Sequence, residues 1–218
     1  MGHLAVIEGL DGSGKATQAN ALANYHRELG KKTLLLSFPN YRDESSALVR
    51  LYLSGALGKP ADVGAYAASS FYAADRYISY ITNWKKLYDE GYTIIADRYV
   101  TSNAAHQMSK LPCEEWDDYL HWMQDYEYTR LGLPKPGVVI YLDMHPETSR
   151  KLLQKRYGSG GAPSDIHERD MQYLLRCRSA ALYACQKLGW RKITCDDGCD
   201  PLPVMHIFEQ VKLLTMDV

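Results

Sequence analysis

A chain of 218 residues that is 46% hydrophobic and 23% charged can bury one sizeable core and needs no second domain. Its formal net charge of −1 and the lack of a long basic block speak against a nucleic-acid partner, and no apolar run approaches the ~20 residues that span a bilayer. The composition favours a protein that acts on a small phosphorylated ligand, with no membrane and no polynucleotide.

The apolar run Leu4-Ala5-Val6-Ile7 predicts a short buried strand, and Gly9-Leu10-Asp11-Gly12-Ser13-Gly14-Lys15-Ala16-Thr17 follows it. Glycines let the backbone turn its N–H groups inward, and Lys15 stands where the next helix begins, so the stretch reads as a phosphate-binding loop. Gly9, Asp11, Gly12, Ser13, Gly14, Lys15, Ala16 and Thr17 are its candidate nucleotide cradle. Ala19, Leu22, Ala23, His26 and Leu29 recur on one helical face, with Gly30 as the stop. After the lysine, the pattern asks for a Ser or Thr whose hydroxyl would ligate Mg²⁺. Ala16 has none, and Thr17 points about 100° further round the helix.

Thr33 to Phe38 predicts a second buried strand, and Phe38-Pro39-Asn40-Tyr41-Arg42 leaves its carboxyl end, the edge where ligands sit in an open parallel sheet. A short helix through Leu48, Leu51 and Tyr52 and a long one from about 65 to 90 follow. In the latter, Tyr72 and Arg76 project from one side; they could stack on and hydrogen-bond a planar base, or form an ordinary surface cation–π pair. The third strand, Tyr92 to Ala96, delivers Asp97-Arg98-Tyr99 to the same edge as the phosphate loop. Asp97 could hold Mg²⁺ or its waters and Arg98 could fork onto a phosphate; a surface ion pair is the other reading. Asn103 can donate and accept at a base edge, while His106 is given no proton-transfer role.

A polar, aromatic helix is expected over about 113–129, and Val138 to Leu142 reads as a strand in the middle of a parallel sheet. Pro146 and Glu147 open a helix carrying Arg150, Lys151, Lys155 and Arg156, which runs into the glycine-rich stretch 158–164. This is either a lid over phosphates or a solvated cationic face with a loose turn. Asp165 begins another long helix, with Glu168, Tyr173 and Tyr183; a fifth strand at Arg191–Cys195 and a helix at Pro203–Leu214 close the chain. The alternation predicts an α/β fold, three layers α/β/α around a five-stranded parallel sheet. Cys113, Cys177, Cys185, Cys195 and Cys199 form an odd set without a CxxC pair, and the chain opens directly on a strand, so reduced thiols and a cytoplasmic location are expected.

In order and spacing these segments resemble thymidylate kinase, a nucleoside monophosphate kinase family of P-loop NTPase type that makes dTDP from dTMP and ATP for dTTP biosynthesis. The residues that carry the likeness are the loop at 9–15, Phe38-Pro39-Asn40-Tyr41, Tyr72-Ala73-Ala74-Asp75-Arg76, the run Asp97 to Ala105, Leu133-Pro134-Lys135-Pro136 and Asp165-Ile166-His167-Glu168. The resemblance implies that Lys15 and the loop amides hold the ATP phosphates, and that Arg98 and Tyr41 hold the dTMP phosphate. It places Tyr72, where the family usually has Phe, on thymine, Arg76 at thymine O4 and Asn103 at another base edge. His106 falls where relatives can carry a Tyr that crowds the sugar 2′ position, and Phe38, Pro39, Tyr99 and Gln107 complete the substrate set. Asp11 and Glu168 would lie near the metal and the acceptor phosphate, with Asp97 as a further metal ligand. Arg156, with Lys155, would close from a lid at about 150–165 of a single domain spanning 1–218. ATP and Mg²⁺ are the implied cofactors and a homodimer the implied assembly.

Three departures stand out. Ala16 lacks the hydroxyl, Gly12 stands where one branch of the family carries an arginine, and Leu152 and Gln154 stand where lid-arginine members can place arginines. The resemblance therefore leaves Arg156 as the expected main lid cation. Another nucleotide kinase (UMP, CMP or a deoxynucleoside) or a nucleotide-binding module without catalysis would share the loop; Tyr72, Arg76 and Asn103 favour thymine over the first, and Lys15, Asp97, Arg98 and Glu168 speak against the second.

Overall fold

The computed structural model describes residues 2–59, 62–157 and 171–216. Five parallel strands form one sheet: β1 (His3–Gly9), β2 (Thr33–Ser37), β3 (Thr93–Asp97), β4 (Val138–Asp143) and β5 (Arg191–Thr194), in the order β2-β3-β1-β4-β5. Side chains alternate across a strand, so β1 serves two cores. Leu4 and Val6 point into one with Ile94, Ala96 and Val139; Ala5 and Ile7 point into the other with Ile95, Ile140 and Ile193. The second core is covered by α1 (Lys15–Glu28) and α9 (Val204–Leu214), through Leu22, Ala23, Ile207 and Val211. The first is covered by α3 (Ala65–Ser79), α5 (Ser102–His106), α6 (Trp116–Gln124) and α8 (Met171–Leu188), so the layers are helix, sheet, helix as the alternation of segments predicts. The shorter α2 (Ala47–Leu53) and α4 (Lys85–Asp89), and α7 (Pro146–Tyr157), complete the helices named here.

Several local expectations are corrected. Strand β2 lies at the sheet edge and is only half-buried, because an apolar run says nothing about how many neighbours a strand will have. Leu29 is 58% exposed because it caps α1 where the backbone leaves helical geometry, and His26 is the last inward residue of that face. On α2, Tyr52 alone of the expected three is buried; Leu48 and Leu51 are each 45% exposed. The long 65–90 helix is α3, a π-helical turn at Tyr80–Trp84, then α4. The extra residue per turn lets both Tyr80 and Trp84 bury their rings, 4.6 Å apart. The 113–129 helix likewise becomes a 3₁₀ turn, α6 and a π-helical turn at Asp125–Arg130. The start of the helix expected at Asp165 lies outside the described residues.

Register places the site. Ile7 pairs with Asp97 and Gly9 with Leu142, which brings the loop after β1 and the turn after β3 to one edge of the sheet. That edge is the carboxyl end of the parallel strands, where backbone groups and following helices face a ligand.

Candidate active site

The loop after β1 is built on close approaches. Gly12 has φ +81, and a Cβ there would meet Ser149 O at 2.8 Å and Leu153 Cγ at 3.0 Å on α7. An arginine at this position would be strained and would strike that helix. Lys15, first residue of α1 and buried, folds its side chain back over the loop: Nζ donates to Leu10 O at 2.8 Å and lies 3.5 Å from Asp11 Oδ1. Burial and the Arg98 charge pull its pKa down against the pull of Asp11, Asp97 and Glu8. Ser13 Oγ is buried without a hydrogen-bond partner. Ala16 and Thr17 are exposed and line the cleft above the loop, a space of about 600 Å³ whose far wall is apolar: Met144, Leu152, Leu153, Leu202, Val204 and Ile207.

Arg98 is the hub beside the loop. It is the one non-glycine described with a left-handed backbone (φ 69), just past the end of β3. Its Nη2 donates to Asp11 Oδ1 at 2.6 Å and its Nη1 to His106 Nε2 at 2.9 Å. A guanidinium has no lone pair to offer, so His106 accepts and carries its proton on Nδ1. Nη1 also reaches Ser102 Oγ at 3.4 Å. Burial would raise the Asp11 pKa, but the charges of Arg98 and Lys15 and the Arg98 hydrogen bond outweigh it and hold the carboxyl well below its usual range. Asp97 is raised, by burial first, against Lys15 and Arg98, and its Oδ1 is buried without a hydrogen-bond partner.

Glu8 was not among the expected site residues, yet it holds this turn in place. Fully buried, it accepts from Tyr99 N (3.1 Å), Thr101 Oγ1 (2.6 Å) and Ser102 Oγ (2.9 Å to each carboxylate oxygen). Ser102 thus accepts from Arg98 and donates to Glu8. Burial raises the Glu8 pKa against Arg98, the two hydroxyls and Lys15. The available signal was a lone charge directly after the apolar run of β1.

A second, inner cavity of about 110 Å³ opens beside Arg98, lined by Tyr72, Arg76, Tyr99, Asn103, His106 and Gln107 among others. Arg76 is no surface cation–π residue. It is 1% exposed and forked onto Glu127, Nε to Oε2 and Nη2 to Oε1, both at 2.7 Å. Asn103 Nδ2 donates to the same Oε1 at 2.9 Å. Tyr99 is buried, its hydroxyl on Pro134 O at 3.1 Å and its ring 6.0 Å from that of Phe38. Tyr41 stands more than half exposed at the entrance, and Tyr173 from α8 closes one side, donating to His106 O at 3.2 Å. Glu127 also escaped the sequence reading, since its role depends on partners 51 and 24 residues away.

The two clefts share Asp11, Phe38, Pro39, Tyr41 and Arg98. Lys155 is exposed on the last turns of α7 and Arg156 falls on its final turn, the latter's side chain lying outside the described residues, as do Glu168 and most of the expected lid. Among the described residues no group of three or more His, Cys, Asp and Glu could hold a metal ion.

Comparisons with known proteins point to one family. The family profile described as thymidylate kinase matches residues 7–194. A thymidylate kinase of Mycobacterium tuberculosis is 33% identical over 208 residues, covering 91% of this chain and 93% of that protein. Human thymidylate kinase is 28% identical over 219 residues, covering 99% and 91%. The fold is similar to that of a solved thymidylate kinase from Candida albicans, with a TM-score of 0.73 at 21% identity over 99% of this chain and 92% of that one.

Proposed function

As this chain belongs to the thymidylate kinase family, we propose that it is a dTMP kinase that transfers the γ-phosphoryl group of ATP to dTMP, giving dTDP for dTTP biosynthesis. One observation carries the reading. A cleft floored by the phosphate loop and a cavity lined by Tyr72, Arg76 and Asn103 meet at Asp11 and Arg98. Donor phosphates in the first and an acceptor nucleotide in the second would bring their phosphates together beside the Arg98 guanidinium.

The chemistry follows from charge. A nucleoside monophosphate has a second phosphate pKa of about 6, so at pH 7 it is mostly a dianion and needs no strong general base. Repulsion between the two phosphates is the obstacle. Lys15 exchanges Leu10 O for a phosphate oxygen of ATP, with the loop amides around it. Arg98, its charge held firm by Asp11 and Glu8, turns donors onto the dTMP phosphate, with Tyr41 at the entrance. Tyr72 lies against the base, Arg76 and Asn103 read its edge, and His106 borders the sugar. Phe38, Pro39, Tyr99 and Gln107 shape the wall.

Mg²⁺ belongs to the same proposal, and the donors present fit it: Asp97 offers a buried carboxylate oxygen without a hydrogen-bond partner, beside the loop cleft it lines. Asp97 would hold the ion, Asp11 and Glu168 its waters, and Ala16 contributes nothing. When bound, the ion would supply positive charge to offset the repulsion between the phosphates. Arg156 and Lys155, at the end of α7, are proposed to close over the phosphates as part of a lid at about 150–165 of one catalytic domain.

A homodimer is proposed as well, supported by the exposed apolar side chains of Leu48 and Leu51 on α2 and of Tyr77 and Ile78 on α3. No described helix is long and apolar enough to cross a membrane, and a cytoplasmic location is part of the proposal.

The deciding experiment is coupled ADP release with Mg-ATP and dTMP, dUMP, UMP, CMP or thymidine as acceptor, with Lys15→Ala as control. Turnover of dTMP above the others, lost with Lys15, is expected. Binding of ATP and dTMP without turnover of any acceptor would instead mean a nucleotide-binding module, and a preference for UMP or CMP another nucleotide kinase.

A further inference from the structure

Arg76 and Asn103 reach the inner cavity from different elements, α3 and α5, and one carboxylate holds both from behind. Glu127, on the π-helical turn after α6, accepts two hydrogen bonds from the Arg76 fork and one from the Asn103 amide, and it does not itself line the cavity. The three residues are 1–2% exposed.

The chemistry of this carboxylate dictates what the other two can offer a ligand. Paired with a guanidinium it has lone pairs and no proton to give, so it tolerates only donors. Turning the Asn103 amide over would set its oxygen against a carboxylate oxygen in a buried site. The same end of the amide faces Ser69 O at 3.5 Å, a second acceptor. Both neighbours therefore demand the NH₂ group, and the orientation rests on the network, the proper basis for assigning an amide. What Asn103 has left is Oδ1, an acceptor. Arg76 is its converse, a residue with five N–H donors and no acceptor. Glu127 takes two and Tyr99 O, at 3.4 Å, a third, which leaves two without a partner among the described residues. A donor from Arg76 thus stands beside an acceptor from Asn103 on one cavity wall.

We propose that Glu127 is a specificity-determining positioning residue: by fixing the Asn103 amide and the Arg76 fork, it sets a donor–acceptor polarity that takes a thymine or uracil edge and refuses a cytosine edge. The inference rests on the inner cavity being the acceptor-nucleotide site. Thymine presents a carbonyl acceptor at O4 next to an N3–H donor, the complement of Arg76 beside Asn103. Cytosine presents an N4–H₂ donor next to an N3 acceptor, the reverse. In this cavity it would set donor against donor and acceptor against acceptor, leaving buried polar groups unpaired. A buried ion pair is a poor device for stability alone, since well-packed apolar residues serve as well. Orienting two polar side chains is work that apolar residues cannot do.

The probe that isolates polarity is 5-methyl-dCMP, which keeps the methyl group and outline of dTMP and reverses only the base edge. kcat/KM would be measured with Mg-ATP for dTMP and 5-methyl-dCMP in wild type, Glu127→Gln and Glu127→Asp. Wild type should prefer dTMP by at least about 10³-fold, because sites built to hydrogen-bond a polar group reject analogues that leave it unpaired. Glu127→Gln can face Asn103 with either end of its own amide, which frees Asn103 to turn over, and should narrow the preference by about 10-fold or more. Glu127→Asp still offers only acceptors and should lose turnover while keeping the preference. A Glu127→Gln enzyme that is slower with both acceptors in equal proportion overturns the proposal, as does a wild type that uses both alike. If Glu127→Gln does not fold, Asn103→Ser carries the same comparison. It leaves the Arg76–Glu127 pair in place and substitutes a hydroxyl that donates or accepts as needed, so the preference should narrow and an unchanged ratio overturns the idea. Wild-type turnover of neither nucleotide overturns the kinase reading itself, and the inference with it; turnover of dTMP with an unaltered ratio in the variants overturns the inference alone.

Discussion

Arg98 and Asp11 grip each other across the junction of the two clefts, Nη2 to Oδ1 at 2.6 Å, while the other arm of the same guanidinium rests on His106. Arg98, proposed to meet the acceptor phosphate, is thus held by protein partners on both arms, from a left-handed backbone position that a loosely held side chain would not need. Such preorganisation makes a cation effective in phosphoryl transfer, since little reorganisation is left for the transition state.

Arg98→Lys tests this. An ammonium on a flexible stem keeps the charge and the backbone strain but cannot span Asp11, His106 and a phosphate together. kcat/KM for dTMP should fall on the order of 10²- to 10³-fold, the scale seen when one transition-state donor is lost. KM for ATP should change little. A rise in KM for ATP as large as that for dTMP would mean that Arg98 serves the loop rather than the acceptor.

Glu8 gives a second prediction, one of structure and rate together. Its carboxylate satisfies a backbone N–H and two hydroxyls, and one of those hydroxyls, on Ser102, also receives Arg98. Glu8→Ala leaves these buried donors without an acceptor, at roughly 1–3 kcal/mol for a stranded group. The urea midpoint should drop by the equivalent of about 3 kcal/mol. kcat for dTMP should fall about 10-fold or more, as Arg98 loses its backing through Ser102. A stable variant with full activity would show that the turn after β3 holds its own shape.

How much of this was legible beforehand divides along sequence separation. The phosphate loop, its helix and the strands β1, β3 and β4 are local patterns: glycines at fixed offsets, an apolar run, a 3.6-residue period. Asp97 and Arg98 could be placed at the ligand edge because each ends or follows a strand. The apolar run of β2 predicts a burial that its place at the sheet edge does not provide, because burial depends on neighbours that a single run does not specify. Glu8 and Glu127 escaped for the same reason. Each is defined by partners that the fold brings from 24 to 94 residues away. A charge inside an apolar strand and a glutamate in an aromatic helix were the visible traces, and neither says which groups will need a carboxylate. The π-helical turn that delivers Glu127 has no sequence signature at all.

Alkaline pH should destabilise the fold through three thiols. Burial pushes Cys177 up to about 11 and Cys185 and Cys195 up to about 12, against about 8.5 for an unfolded thiol. A raised folded pKa means stability that is fully present below the unfolded value and lost as pH rises through the folded one. The loss therefore begins near pH 8.5 and reaches about 2 kcal/mol per thiol by pH 10. Lys110 acts in the opposite sense. Burial lowers it to about 8, so it adds stability between there and its unfolded pKa of about 10.4, but it is one group against three. Urea midpoints under reducing conditions should fall between pH 7.5 and 10, and the fall should flatten when the three cysteines are replaced by alanine. An equal fall in that variant would assign the alkaline limb to other groups.

The last prediction concerns Ala16, where the chain departs most from the pattern it otherwise follows. Position 16 is the second residue of α1, exposed and lining the loop cleft, so a serine there would project its hydroxyl where the phosphates and their metal are proposed to lie. With alanine, Asp97 would carry more of the proposed metal's binding, which accords with its buried oxygen lacking a hydrogen-bond partner. Ala16→Ser should therefore lower the free Mg²⁺ needed for half-maximal rate several-fold and leave KM for dTMP unchanged. Asp97→Asn should reduce kcat on the order of 10²-fold in the wild-type background and by less when Ala16→Ser is present. Residues that share one ligand are coupled, and the double-mutant cycle reads that coupling directly. If instead the two substitutions act additively, Asp97 and position 16 do not share a metal, and the Asp97 carboxylate is there to balance Lys15 and Arg98.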